Sequence, residues 1–193
     1  MSRDPWLQRW LPLVRERAGV LPVLELGCGR GDDTATLVGA GHRVIAIDLS
    51  TISITAARVR APAADYYCQD IRAQFPPHVA GLGVVVASLS LHYFAWAETI
   101  ALVERIRDVL RPGGVLLCRL NSTNDHHHGA SGHPPIEENF YSVNGRPKRF
   151  FNRQSVQELF ATGWHVLSTE EMVIHKYPPH PKAVWEMILE RNA

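Results

Sequence analysis

Apolar positions along the chain fall into short compact runs separated by segments of helical period. Residues 21–26 form one such run, a buried strand that feeds straight into a glycine turn. Residues 34–40 read as a helix closed by Gly41, and residues 43–47 as a second strand ending at Asp48. Ser50 caps a helix that runs to about Val59. Asp65–Cys68 is a short third strand, followed by Asp70. Residues 84–87 are almost wholly β-branched, as a strand at the centre of a sheet requires. In residues 99–110 Ile100, Val103, Ile106 and Leu110 repeat near the helical period. Arg111-Pro112-Gly113-Gly114 then stops the helix and turns the chain into a fifth strand over residues 115–120. Strands alternating with helices predict an α/β fold, a mainly parallel sheet with helices on both faces.

The two ends depart from this alternation. Asp4-Pro5 has the form of a helix cap followed by a first-turn proline, and Trp6, Leu7, Trp10, Leu13 and Val14 then share roughly one face. Pro12 should kink or split that helix. Residues 1–19 are read as an N-terminal helical cap. Residues 121–149 are polar, rich in His, Gly and Pro, and without period. A loop of that length in a compact domain is usually functional or disordered, and this one is placed as a lid over the active-site edge. After a short helix at 155–160, residues 164–173 and 183–189 read as two final strands. With no helix between them, they should pair antiparallel.

Composition narrows the class. The 193 residues are 46% hydrophobic and 20% charged, enough for one domain with a full core, taken as 1–193. A formal net charge of +1 gives no bulk attraction to nucleic acid or to acidic membranes. Cys28, Cys68 and Cys118 are odd in number and form no CxxC pair, which argues against disulfides and structural zinc. Three adjacent histidines, His126 to His128, diverge on any regular element and could converge only in a loop; with no acid or cysteine at a familiar spacing, no metal is assigned to them. No apolar run reaches the roughly 20 residues of a membrane span, and the charged N-terminus has no signal-peptide core. The expected location is the cytoplasm.

The chemistry concentrates on the turn Gly27-Cys28-Gly29-Arg30-Gly31. Glycines directly after a strand let a ligand approach the backbone, although a plain tight turn has the same look. Asp48 stands where a carboxylate accepts bonds from two ribose hydroxyls, or caps the following helix. Asp70 can accept from an adenine amino group or lie solvated in a loop. Glu25 can face the cationic end of a ligand or bond to backbone. A dinucleotide turn has the spacing G-x-G-x-x-G. Here the spacing is tighter, and Asp32 and Asp33 sit where a pyrophosphate would be repelled.

As an ordered set these pieces resemble the class I S-adenosylmethionine-dependent methyltransferases. The set is Val23-Leu24-Glu25-Leu26-Gly27-Cys28-Gly29-Arg30-Gly31, Val44-Ile45-Ala46-Ile47-Asp48-Leu49-Ser50, Cys68-Gln69-Asp70-Ile71, the strand from Val84 to Ser90, and Leu110-Arg111-Pro112-Gly113-Gly114. The resemblance implies a Rossmann-like sheet of seven strands in the order 3-2-1-4-5-7-6 with the last strand antiparallel. It also implies S-adenosylmethionine held by Glu25, Gly27, Cys28, Gly29, Asp48, Leu49, Asp70, Ile71 and Ser88. A looser resemblance, carried by Leu89-Ser90-Leu91-His92-Tyr93-Phe94 and by Arg149-Phe150-Phe151 through Trp185, is to small bacterial enzymes of the tellurite-resistance type.

Methyl transfer is an in-line displacement in which alignment supplies most of the acceleration. His92, after the fourth strand, is the expected general base if one is needed, with local packing as its other reading. Asn121, Tyr141 and Arg149 are the expected acceptor contacts, and Arg146, Lys148 and Arg149 form a basic cluster that either steers an anionic acceptor or faces solvent. The expected partner is a small-molecule acceptor, with neither membrane nor nucleic acid, in a monomer or homodimer. A cofactor-binding module without turnover and an RNA or protein methyltransferase are the competing readings.

Overall fold

Val23–Leu26 (β1) is buried at all four positions, and Val44–Asp48 (β2) pairs with it in parallel. The computed structural model describes residues 5–175 and 179–193. Beyond these two strands, Asp65–Cys68 (β3) extends the sheet on one side. Leu82–Ser88 (β4) and Leu110–Asn121 (β5) extend it on the other. Trp164–Ile174 (β9) and Lys182–Arg191 (β10) complete it, with β10 antiparallel to both β5 and β9. The order is β3-β2-β1-β4-β5-β10-β9. It differs from the expected numbering because three further strands intervene in the chain between β5 and β9.

Those strands correct the reading of the insert. Residues 121–149 are not structureless: Pro135–Glu137 (β6), Phe140–Val143 (β7) and Arg146–Arg149 (β8) form a separate antiparallel ribbon. Asn144 and Gly145 turn β7 into β8 at φ of 52° and 76°, the left-handed pair that a two-residue hairpin demands.

Leu11–Ala18 (α1), Asp32–Gly39 (α2) and Thr51–Arg60 (α3) cover one face, and Trp96–Val109 (α4) and Arg153–Leu159 (α5) the other. Pro12 splits the N-terminal segment. A 3-10 turn at Trp6–Trp10 ends where α1 begins, with the proline in its first turn. The cap expected at Asp4 lies outside the described residues. Among those residues, no helix is long and apolar enough to cross a membrane.

Ser50 caps α3 as read, its Oγ accepting from the Ser53 amide at 3.2 Å. Ser50→Ala is expected to lower stability by about 1 kcal/mol. A urea midpoint indistinguishable from the parent protein's would contradict that role.

Candidate functional site

The strand order reverses between β1 and β4, and at such a switch point the loops leaving adjacent strands diverge and open a crevice. A cleft of about 1120 Å³ lies there. One half of its wall comes from the loops after β1, β2 and β3. The other comes from the loop after β4, from β5 and from the ribbon.

Gly27, Gly29 and Gly31 all have positive φ, at 75°, 53° and 80°. A side chain at Gly27 would meet Ser90 at 2.4 Å, whereas one at Gly29 would meet no protein atom within 4 Å, because Gly29 borders the cleft. The Gly29 amide donates to Asp48 Oδ2 at 2.8 Å, and the Ser50 amide to Asp48 Oδ1 at 2.9 Å. Two backbone donors thus fix this carboxylate, with lone pairs remaining for a diol. Glu25 is buried at the base of the cleft and accepts from Thr34 Oγ1 at 2.6 Å. Asp70 accepts from the Arg72 amide at 2.8 Å and from its guanidinium at 2.7 Å, and that charged partner holds its carboxyl below the usual range. Burial, with Glu25 and Asp48 nearby, pushes the Cys28 thiol up, so it stays protonated and is no nucleophile.

All nine residues expected at the cofactor line this one cleft: Glu25, Gly27, Cys28, Gly29, Asp48, Leu49, Asp70, Ile71 and Ser88. Asp32 and Asp33 line it too, Asp33 accepting from Trp6 Nε1 at 3.0 Å. Ser90, also on the wall, is 5% exposed, and its hydroxyl has no hydrogen-bond partner among the described residues. A glycine turn open to the cleft, a fixed carboxylate, acids at the helix entry and an unsatisfied buried hydroxyl fit a ligand with a diol and a cationic, zwitterionic end.

The expected base His92 and the expected acceptor contacts Asn121, Tyr141 and Arg149 are not among the residues that line this cleft. His92 does not line the cleft. The 3-10 turn Leu91–Tyr93 points Leu91 and His92 into the protein and Tyr93 outward. His92 is fully buried, which pushes its pKa well down, with Lys182 and Lys148 adding to the effect. Asn121 is buried and donates to the Arg149 carbonyl at 3.3 Å. Arg149 ties the ribbon to the loop after β4. It pairs with Glu137, donates to the Phe94 carbonyl at 3.1 Å and lies against Phe140. Tyr141 packs beside Phe150, facing away from the cleft wall that its neighbour Phe140 helps to build.

Three residues outside the expected contacts line this half, Tyr93, Phe140 and Arg119, and Trp6 covers the last of them. Arg119 is fully buried at the wall, donating to Ser88 Oγ at 2.9 Å beneath the Trp6 ring. A lone arginine inside the apolar run 115–120 was the signal, since a charge on a buried strand needs a specific setting.

Comparison with known proteins agrees with this geometry. Residues 23–114 match the family model described as a methyltransferase domain. The chain is 36% identical over 100 residues to a trans-aconitate 2-methyltransferase of Paracidovorax citrulli, covering 51% of this chain and 38% of that protein. It is 29% identical over 111 residues to an uncharacterized methyltransferase of Synechocystis, covering 56% and 52%. The chain thus spans about two fifths to one half of the length of these curated relatives. Among solved structures, a methyltransferase of Methanosarcina mazei superposes with a TM-score of 0.77 at 16% identity, covering 94% of this chain and 97% of that one. The 1,6-didemethyltoxoflavin-N1-methyltransferase of Burkholderia thailandensis, solved with S-adenosylhomocysteine, gives 0.70 at 20%, covering 99% and 82%. A [4+2]-cyclase shares the fold as well, at 0.69 and 18%, covering 100% and 84%.

Proposed function

We propose that the class I S-adenosylmethionine-dependent methyltransferase domain formed by residues 23–114 serves methyl transfer to a small-molecule acceptor bound in the same cleft. The observation that carries this reading is the convergence of nine residues, drawn from the ends of three parallel strands and a fourth, on one cleft at the switch point. When bound, S-adenosylmethionine supplies an electrophilic methyl group on a cationic sulfur with a neutral thioether as leaving group.

The rest is the work of the chain's own side chains. Asp48 holds the diol, Glu25 and the acids at the helix entry favour the cationic end, and Asp70 and Ile71 border the base. Tyr93, Phe94 and Phe140 close the opposite half and exclude water. The ribbon acts as the lid over that half. Alignment of this kind supplies about 7–11 kcal/mol of the barrier reduction. His92 takes no part as a base, because it has no access to the cleft. It serves instead to pack the turn that presents Tyr93. The small-molecule acceptors in the names of two relatives support an acceptor of that size.

Calorimetry with S-adenosylhomocysteine tests the reading directly. Micromolar binding is expected, and Asp48→Ala is expected to weaken it about 10- to 100-fold, the loss of charge-assisted bonds to a diol. Absence of binding at millimolar concentration would end the proposal. The shared fold of a [4+2]-cyclase keeps a second reading in view, a module that binds the cofactor without transferring its methyl group. Binding without transfer to any member of a broad acceptor panel would favour it.

A further inference from the structure

The charges on the cleft wall are divided. The half expected to hold the cofactor carries five carboxylates, Glu25, Asp48, Asp70 and, at the helix entry, Asp32 and Asp33, against two cations, Arg30 and the Arg72 that is paired with Asp70. On the half built by the loop after β4, by β5 and by the ribbon, the charged side chains at the wall are Arg119 and Arg146, with the Tyr93 phenol beside Arg146. Glu98, on α4 at the boundary, is paired with Arg72 at 2.7 Å. Arg119 faces Ser88 and the Trp6 ring, and lies opposite Glu186 across the β5–β10 pairing. Behind it Lys182 is paired with Asp125 at 2.7 Å. Arg146 is exposed on β8 at the mouth, two residues before Lys148.

Among the described residues this half therefore offers cations, and the one carboxylate at its boundary, Glu98, is already held by Arg72. The Tyr93 phenol is held above its usual range by partial burial, and His92 is sealed off from the cleft. An alcohol or phenol acceptor must lose a proton to become a good nucleophile, and the described wall of this half holds no uncommitted base to take it. A carboxylate has none to lose at neutral pH, and guanidinium groups match its two oxygens.

Resting on the methyltransferase reading above, we infer that the acceptor is a small carboxylate-bearing molecule, recognised by Arg146 at the mouth with the positive charge of the buried Arg119 behind it, and methylated on a carboxylate oxygen. In that step an oxygen lone pair forms the new O–CH3 bond while the S–CH3 bond breaks, its electron pair passing to sulfur. The negative charge of the carboxylate and the positive charge of the sulfonium cancel. The products are a neutral ester and a neutral thioether, and no proton is gained or lost. Loss of both charges is favoured in a cleft shielded from water.

The test titrates acetate, benzoate, succinate and citrate, with succinamide as the neutral control, into protein saturated with S-adenosylhomocysteine. Transfer from methyl-labelled S-adenosylmethionine to the same panel is followed in parallel. At least one carboxylate, and not succinamide, is expected to bind. The transferred label should be released as methanol by alkali, the mark of an ester. The rate should be flat between about pH 6 and pH 9, above the carboxylate range. Arg146→Glu should raise the acceptor KM about tenfold or more by placing like charge at the mouth. Affinity for S-adenosylhomocysteine should stay within about twofold, and Arg146→Lys should recover most of the loss. If S-adenosylhomocysteine binds but no carboxylate does, the inference falls and the methyltransferase reading stands. The same holds if the label enters an alkali-stable product, or if Arg146→Glu leaves KM unchanged. If S-adenosylhomocysteine itself fails to bind, both fall together.

Discussion

Gly27→Ala is expected to reduce S-adenosylhomocysteine affinity by more than about 100-fold and to destabilise the protein by about 2–4 kcal/mol. Two effects add. The first is conformational: a φ of 75° at position 27 puts any β-carbon in the left-handed region, at about 1–2 kcal/mol. The second is steric, because the new methyl would stand 2.4 Å from the β-carbon of Ser90, which is tied closely to backbone. Ser90 has little room to yield. Its neighbour Leu89 already holds a positive φ of 56°, and the Leu89 amide is bonded to the Arg119 carbonyl at 2.9 Å. Relief must come from moving the glycine turn, which carries the Gly29 amide away from Asp48. Gly29→Ala separates the two contributions. It meets no protein atom within 4 Å, so it should lose about 1 kcal/mol of stability while still obstructing the ligand. Calorimetry and urea unfolding on both variants check this. Wild-type affinity in Gly27→Ala would show that the turn does not hold the cofactor.

The parts of this architecture legible in the sequence are those where periodicity and burial coincide. β1, β2 and β4 are buried at nearly every position, so each reads as a continuous apolar run, and the glycine turn and Asp48 follow from their ends. The ribbon was missed because its strands are three or four residues long and mostly polar, held by hairpin turns and by Arg149 and not by an apolar face. One signal for it was present, the Asn144-Gly145 dipeptide between Val143 and Arg146. The exchange of His92 for Tyr93 has a different cause. A three-residue 3-10 turn has no period to read, so which of two adjacent side chains faces the cleft depends on how the turn docks. Arg119, Trp6 and Asp33 meet across 113 residues of chain, and nothing local announces such a meeting.

Gly83→Ala, in the second position of β4, should be among the most damaging single-methyl additions to the protein. A β-carbon there would lie 1.8 Å from the Arg17 carbonyl oxygen and 2.5 Å from its carbon, both backbone atoms. Helix α1 therefore crosses β4 with no side chain between them, and a methyl group requires the whole helix to lift. Val14 and Ala18 on α1, and Leu7 and Trp6 before it, are buried against the core on that face, so lifting the helix opens that packing. The expected loss is about 3 kcal/mol, the upper end for overpacking, a fall in Tm of roughly 6–12 °C at about 2–4 °C per kcal/mol. The same movement reaches the cleft. Trp6 bonds to Asp33 and covers Arg119, both on its wall, so S-adenosylhomocysteine affinity should fall although residue 83 does not line it. Limited proteolysis should then cut within the first 20 residues faster than in the parent, and saturating S-adenosylhomocysteine should slow the cutting. A variant that melts with the parent would show that α1 does not pack on β4 through this glycine. One that melts early but binds normally would separate the N-terminal helix from the cofactor site.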